Sequence, residues 1–293
     1  MRIVFIGGVE FSFKALRHLI SLEAQIVGVC TLKASEFNAD HVDLRPLSEA
    51  HAIPSFYVED INSNETLDWI RDKSPDIIFC FGWSRLIKQD LLLLSPLGIV
   101  GFHPAALPAN RGRHPIIWAL VLGVESTAST FFFMNNGADS GDILSQEEII
   151  IGNHDDARTL YDKVVQTAMV QITKFLPQLA KGTFPRIKQN ESLANVWRKR
   201  GYADGQIDWR MSAQSIHNLV RGLGLPYAGA HFLLDGKEIK VWKTAVILDA
   251  KKNYEPGKVI PCTIGSVVIK CGIDAIELLD TEPKLQGNIE GYL

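Results

Sequence analysis

The sequence predicts an α/β protein: an open, mostly parallel sheet with helices on both faces, followed by a smaller domain of short strands. Three observations point there. Strand-like and helix-like segments alternate over the first 180 residues. The strand-like runs are apolar throughout instead of alternating, as expected of strands covered on both faces. Beyond residue 205 the pattern changes to short segments separated by Gly-containing turns.

Arg2 to Gly7 forms the first strand-like run, and Phe11 to Ile20 repeats apolar residues at helical spacing. Gln25 to Cys30, Asp76 to Phe81, Gly98 to Phe102 and Ser129 to Met134 supply four more strands. Asn153-His154-Asp155-Asp156 is suited to cap a long amphipathic helix, Ala157 to Leu179, and Lys181-Gly-Thr-Phe-Pro185 breaks the chain after it. A polar link, Lys188 to Arg200, leads to a helix from Ser212 to Leu223 with Ser212 as N-cap. Ala230 to Leu234, Glu238 to Ile247, Gly257 to Ile260, Ser266 to Cys271 and Ala275 to Leu279 follow as short strands, with Asp235-Gly236 as a turn. Such a series builds a small barrel or sandwich. The expected division is residues 1–182, a linker over 183–204, and 205–293.

Composition narrows the function classes. Of 293 residues, 46% are hydrophobic and 22% charged, the profile of an ordinary soluble globular protein. Thirty Lys plus Arg against 33 Asp plus Glu give a net charge of −3, without the basic excess typical of proteins that grip nucleic-acid phosphates. No run approaches the roughly 18 apolar residues of a membrane helix. The first apolar stretch is interrupted by Glu10 and Lys14, too early for a signal peptide. Cys30, Cys80, Cys262 and Cys271 form no CxxC pair, and buried reduced thiols in a cytoplasmic protein are expected. The eight histidines include no HExxH and no His/Cys cluster, so no metal is expected.

The first strand–helix turn reads Gly7-Gly8-Val9-Glu10, which fails the G-x-G-x-x-G spacing, and no P-loop occurs. A Rossmann-like sheet without NAD is therefore expected, with its ligands at the carboxyl ends of the later strands. Two loops stand out there. His103 ends an apolar strand and opens His103-Pro-Ala-Ala-Leu-Pro108, followed by Asn110-Arg-Gly-Arg-His-Pro115. Asp139 lies in Asn135-Asn-Gly-Ala-Asp-Ser-Gly141. Read singly, His103 could equally be a satisfied core histidine and Asp139 a turn residue. Read together, a His and an Asp at neighbouring strand ends form an acid–base pair in which the carboxylate orients the imidazole.

At these residues the chain resembles the transferases that use 10-formyltetrahydrofolate to formylate an amine. That family's signature is Asn-x-His, then P-x-L-L-P-x-x-R-G, then D-x-G. His103-Pro-Ala-Ala-Leu-Pro108, Arg111-Gly112 and Asp139-Ser140-Gly141 match it in order and spacing. Gly205-Gln-Ile-Asp-Trp209, the helix Ala213 to Arg221 and Pro226-Tyr-Ala-Gly-Ala230 resemble elements of the family's C-terminal domain. The resemblance implies a catalytic domain with the folate site over 1–182 and a small OB-like β-barrel over 205–293. It implies His103 and Asp139 as catalytic residues. It also implies a pterin and formyl site lined by Arg85, Leu86, Ile87, Arg113, Asn135, Asn136, Gly137, Ala138 and Asp139, with 10-formyltetrahydrofolate as cosubstrate and no metal. One departure stands out: the family's asparagine, whose amide helps hold the oxygen of the tetrahedral intermediate, aligns with Gly101. Asn110, His114 or an ordered water are the expected replacements.

The acceptor amine separates three readings. Members acting on tRNA carry a basic insertion after the second strand, whereas Thr31 to Asp60 here holds Lys33 and Arg45 against Glu36, Asp40, Asp43, Glu49, Glu59 and Asp60, a net of −4. A nucleotide-linked aminosugar needs only a few basic contacts, for which Arg198, Lys199 and Arg200 are candidates, a solvated linker being the alternative for those three. The expectation is an amino-sugar N-formyltransferase. Methionyl-tRNA formyltransferase is the first alternative, and a formyltetrahydrofolate hydrolase or inactive folate-binding homologue the second. The partner expected is a small nucleotide sugar, with neither nucleic acid nor membrane, and a homodimer left open.

Overall fold

A computed structural model describes the chain except for residues 36–39, 249–251, 262–266, 286–288 and 290. Glu36, Cys262 and Ser266 lie outside the described residues. Two compact units emerge, the first from Met1–Gly112, Thr127–Ile149 and Asp162–Trp197, the second from Arg113–Ser126, Ile150–Tyr161 and Arg198–Leu293.

In chain order the elements are β1 (Ile3–Ile6), α1 (Glu10–Ser21), β2 (Ile26–Thr31), α2 (Arg45–Ala50), β3 (Ser55–Tyr57), α3 (Asn64–Asp72), β4 (Ile77–Cys80), α4 (Gln89–Leu92) and β5 (Ile99–His103). There follow β6 (Arg111–Gly112), α5 (Pro115–Val121), β7 (Ser126–Phe133), β8 (Ile143–Ile150), α6 (Ala157–Lys181) and β9 (Val196–Trp197). A seven-stranded sheet runs in the order β3-β2-β1-β4-β5-β7-β8, and the pairings from β3 to β5 are all parallel. β7 pairs antiparallel with β5. The predicted mostly parallel sheet is thus the observed one.

The apolar runs have the expected cause. On one face Phe79 and Phe131 pack against Phe175 of α6, while Phe102 stacks on Phe11 of α1 at 4.0 Å. On the other face Val4, Ile6, Ile78 and Ile99 pack with Leu67 and Ile70 of α3 and Leu91 of α4. Helices cover both faces. Two strands of this sheet escaped the sequence reading, as did the two-residue strands β6 and β9, which pair with each other. β3 has only three residues, and β8 is an edge strand whose middle, Ser145-Gln-Glu-Glu148, is partly or fully exposed and carries no apolar run.

The first strand–helix turn is closed by its own side chain. Ser12 Oγ accepts from the amides of Gly8 (3.1 Å) and Val9 (3.2 Å) and donates to the Phe81 carbonyl (2.6 Å). A Cβ on Gly7 would lie 2.5 Å from Ser12 Cβ, so this glycine serves close packing.

In the second unit, Asp156 Oδ1 accepts from the Thr159 amide at 2.8 Å and caps the start of α6, as expected. The remaining elements are α7 (Ala213–Gly222), β10 (Ala230–Leu234), β11 (Lys237–Ile247), β12 (Val259–Ile260), β13 (Val267–Lys270) and β14 (Ala275–Glu282). Ser212 Oγ accepts from the Ser215 amide at 3.0 Å, the predicted cap of α7. The strands form an antiparallel sheet in the order β10-β11-β14-β13-β12, curled as a half-barrel, with no pairing of β12 to β10 among the described residues. Ile216, Leu219 and Val220 of α7 share its core with Phe232, Val241 and Ile276.

Candidate active site

His103 is the last residue of β5, and its position follows from strand alternation. Ile99, Gly101 and His103 share one face of the sheet. The imidazole is buried, with 7% of its side chain exposed, and its Nδ1 lies 3.7 Å from Asp139 Oδ2. Its Nε2 lies 2.8 Å from the Asn110 carbonyl oxygen. A carbonyl only accepts, so the proton sits on Nε2, and Nδ1 is the nitrogen turned towards the carboxylate. The loop after His103 is pinned to β7 and β8: Thr130 Oγ1 donates to the Ala105 carbonyl (2.7 Å), and Gln146 Nε2 donates to Leu107 O (2.8 Å).

Asp139 arrives by a route that the sequence reading did not anticipate. Because β7 is antiparallel to β5, Phe133 lies beside Val100 and Thr130 beside His103. The loop that follows β7 therefore leaves from the start of β5, about 10 Å along the strand from His103 at ordinary strand rise. It folds back over the sheet to bring the carboxylate to the imidazole. The two residues are not at matching strand ends. Asp139 takes a left-handed φ of 53°, and its Oδ2 accepts from the Gly112 amide at 2.9 Å.

The other expected ligand-lining residues divide. Asn135 Oδ1 accepts from the Gly137 amide and from Ser140 Oγ, both at 2.9 Å, and Asn135 to Ala138 are exposed. Leu86 is 73% exposed, and its carbonyl accepts from Asn62 Nδ2 at 2.9 Å. Arg85 donates to the Glu59 carbonyl. Ile87 is buried among Ile61, Ile70 and Leu91, so its side chain belongs to the core, and only its backbone can face a ligand. Arg113 lies in the second unit.

The space beside Gly101 is filled by apolar groups. A Cβ there would meet Met134 Cγ at 3.0 Å and Phe132 Cζ at 3.1 Å. Of the expected polar replacements, Asn110 accepts from His103 Nε2 through its backbone carbonyl and donates its backbone N–H to Asn195 Oδ1 (2.7 Å). His114, in the second unit, sits at the N-cap of α5 with φ 56°, and burial lowers its pKa, assisted by Arg113, Lys199 and Arg200. In that unit Arg198 is paired with Asp204, and Arg198 and Arg200 lie 5.4 and 4.6 Å from the Trp118 ring. Sequence reasoning quoted Arg111 as part of the motif without giving it a role, and it missed Gln189 and Asn195, both inside a segment that composition marked only as a polar link. Among the described residues no group of three or more His, Cys, Asp or Glu could hold a metal.

The model of the formyl transferase domain matches residues 1–175, more than half of the chain, and that of the formyl transferase C-terminal domain matches residues 200–290. The chain belongs to the formyl transferase family. Among curated relatives, methionyl-tRNA formyltransferase of Geobacter metallireducens is 30% identical over 291 residues, spanning 98% of this formyl transferase and 92% of the relative. The bifunctional polymyxin resistance protein ArnA of Wigglesworthia glossinidia brevipalpis is 30% identical over 285 residues, 96% of this chain but only 43% of that longer protein. Among solved structures, WlaRD, a sugar 3N-formyl transferase determined in the presence of dTDP and 5-N-formyl-THF, aligns with a TM-score of 0.71. The alignment covers 95% of this formyl transferase and 97% of WlaRD at 17% identity, a likeness of fold.

Proposed function

We propose that this chain is an N-formyltransferase that moves the formyl group of 10-formyltetrahydrofolate to the free amine of a nucleotide-linked aminosugar. The observation that carries the reaction is the buried His103 imidazole beside Asp139. With Nε2–H held by the Asn110 carbonyl, Nδ1 is the ring nitrogen left to exchange a proton, and at 3.7 Å it makes no hydrogen bond to Asp139. As the sugar amine attacks the formyl carbon, His103 Nδ1 takes the amine's proton, and the Asp139 carboxylate balances the charge on the ring. The proton then returns to the departing folate nitrogen. Exposed Leu86 and the backbone groups of Asn135 to Ala138 are suited to a flat, hydrogen-bonding pterin.

The acceptor is argued from charge. The segment after β2, Thr31 to Asp60, carries a net of −4 and would repel tRNA phosphates. WlaRD, with the dTDP of its own structure, supports a nucleotide-sugar acceptor. The buried thiols suit a cytoplasmic enzyme: burial pushes the Cys80 thiol up to about 12. The Geobacter metallireducens relative favours methionyl-tRNA as a second reading. Formyl transfer from 10-formyltetrahydrofolate is to be measured against charged initiator tRNA and against a panel of dTDP- and UDP-linked aminosugars. Turnover of a sugar with none of the tRNA is expected. Salt-sensitive binding and formylation of the tRNA would reverse the order.

A further inference from the structure

We propose that Gln189 and Asn195 are positioning residues that clamp the two halves of the His103–Asp139 pair from outside the site. The inference rests on the reading of that pair as catalytic. Gln189 Nε2 donates to the carbonyls of Asp139 (2.8 Å) and Gly141 (2.7 Å), so it grips the loop on both sides of Ser140. Its Oε1 accepts from Arg111 Nε (3.2 Å) and Nη2 (2.7 Å). Every hydrogen-bonding site of that amide is therefore used, and its orientation has no alternative. Arg111 is 7% exposed and is itself held by Glu191, with Nη1 and Nη2 each donating to one carboxylate oxygen at 2.8 Å.

The next residue, Gly112, donates its amide to Asp139 Oδ2 at 2.9 Å, and β6 is paired in parallel with β9. Asp139 is thus held at its carbonyl by Gln189 and at its carboxylate by Gly112, in a left-handed conformation (φ 53°) that aspartate tolerates better than most non-glycine residues. Asn195 does the same for the other half. Its Oδ1 accepts the amide of Asn110, also left-handed at φ 65°, whose carbonyl receives His103 Nε2–H. One short segment, 189–195, therefore sets both the carboxylate and the tautomer-fixing carbonyl.

The two side chains play opposite hydrogen-bonding parts, which makes the clamp separable from mere folding. Gln189→Glu keeps an acceptor for Arg111 but loses both donors to the Asp139 loop, and Gln189→Ala loses everything. Asn195→Asp keeps the acceptor for Asn110, and Asn195→Ala does not. Two readouts are needed on each folded variant: the kcat and KM of formyl transfer, and hydrogen exchange of the Gly112 amide, which reports Asp139 directly and needs no substrate. In both Gln189 variants, kcat should fall at least about tenfold with KM within about twofold, and Gly112 exchange should quicken at least about tenfold, the scale of one lost orienting contact. Asn195→Asp should keep near-normal kcat while Asn195→Ala loses it. A folded Gln189→Glu protein with either kcat or Gly112 exchange unchanged overturns the proposal. If the wild-type protein transfers formyl to no acceptor, the catalytic reading fails on its own, and Gly112 exchange alone decides the clamp.

Discussion

Replacing Gly101 by asparagine tests how this site differs from its family pattern. Gly101 is paired across the sheet with Phe132, whose ring edge and the Met134 thioether chain occupy the room a side chain would need. A Cβ would stand 3.0 Å from Met134 Cγ and 3.1 and 3.2 Å from Phe132 Cζ and Cε1. Met134 can bend aside, but Phe132 is 3% exposed and packed with Leu107 and Ile143, so the ring has little freedom to retreat. Overpacking of this kind costs about 1–3 kcal/mol. In a domain of this size that is a fall in Tm of roughly 2–12 °C. Were the amide to reach the reacting oxygen, a regained oxyanion donor would raise the single-turnover rate by about 10²–10³. The crowding predicts the contrary outcome: no rate gain, a lower Tm, and a similar Tm loss in Gly101→Ala, which adds the same Cβ without an amide. Adding Phe132→Leu to Gly101→Asn should recover part of the stability. Single-turnover formyl transfer and thermal denaturation of the three proteins check this. A tenfold or larger rate increase in Gly101→Asn at unchanged Tm refutes the packing argument.

Other outcomes follow from the same geometry. His103→Ala should leave the fold intact and cut formyl transfer by about 10²–10⁴, and Asp139→Asn should lower the rate while folate still binds, both read by steady-state kinetics beside ligand-induced thermal shifts. Ser212→Ala removes the acceptor for the Ser215 amide at the start of α7 and should cost about 1 kcal/mol in denaturant unfolding. Burial holds the His114 and His217 imidazoles below their ordinary value of 6.5, helped by Arg113 at the first and Arg221 at the second. The unfolded chain then binds protons that the folded one refuses, so their contribution to stability is present above about pH 6.5 and lost as pH falls below it. His217→Gln, which can still meet Thr244 Oγ1, should flatten the decline in Tm between about pH 7 and pH 5.

What the sequence determined by itself was whatever is written in local pattern. Short, fully apolar, β-branched-rich runs such as Ile77-Ile-Phe-Cys80, alternating with helical segments, fit strands covered on both faces, and Ser212 and Asp156 announce helix starts through side chains that satisfy amides a few residues away. His103 and Asp139 were legible as residue types suited to proton transfer, and the resemblance of their flanking motifs named the chemistry. The tertiary structure decided what depends on groups distant in the chain. The reversed direction of β7 makes the Asp139 loop fold back along the sheet, because strand polarity is settled by pairing and not by the apolarity of the run. The space beside Gly101, where the motif has an asparagine, is filled by Phe132 of β7 and by Met134 just after it, residues whose apolar character carries no sign of that task. Gln189, 50 residues beyond Asp139, meets it through hydrogen bonds to backbone carbonyls, which every residue possesses, so no spacing in the sequence could mark the contact.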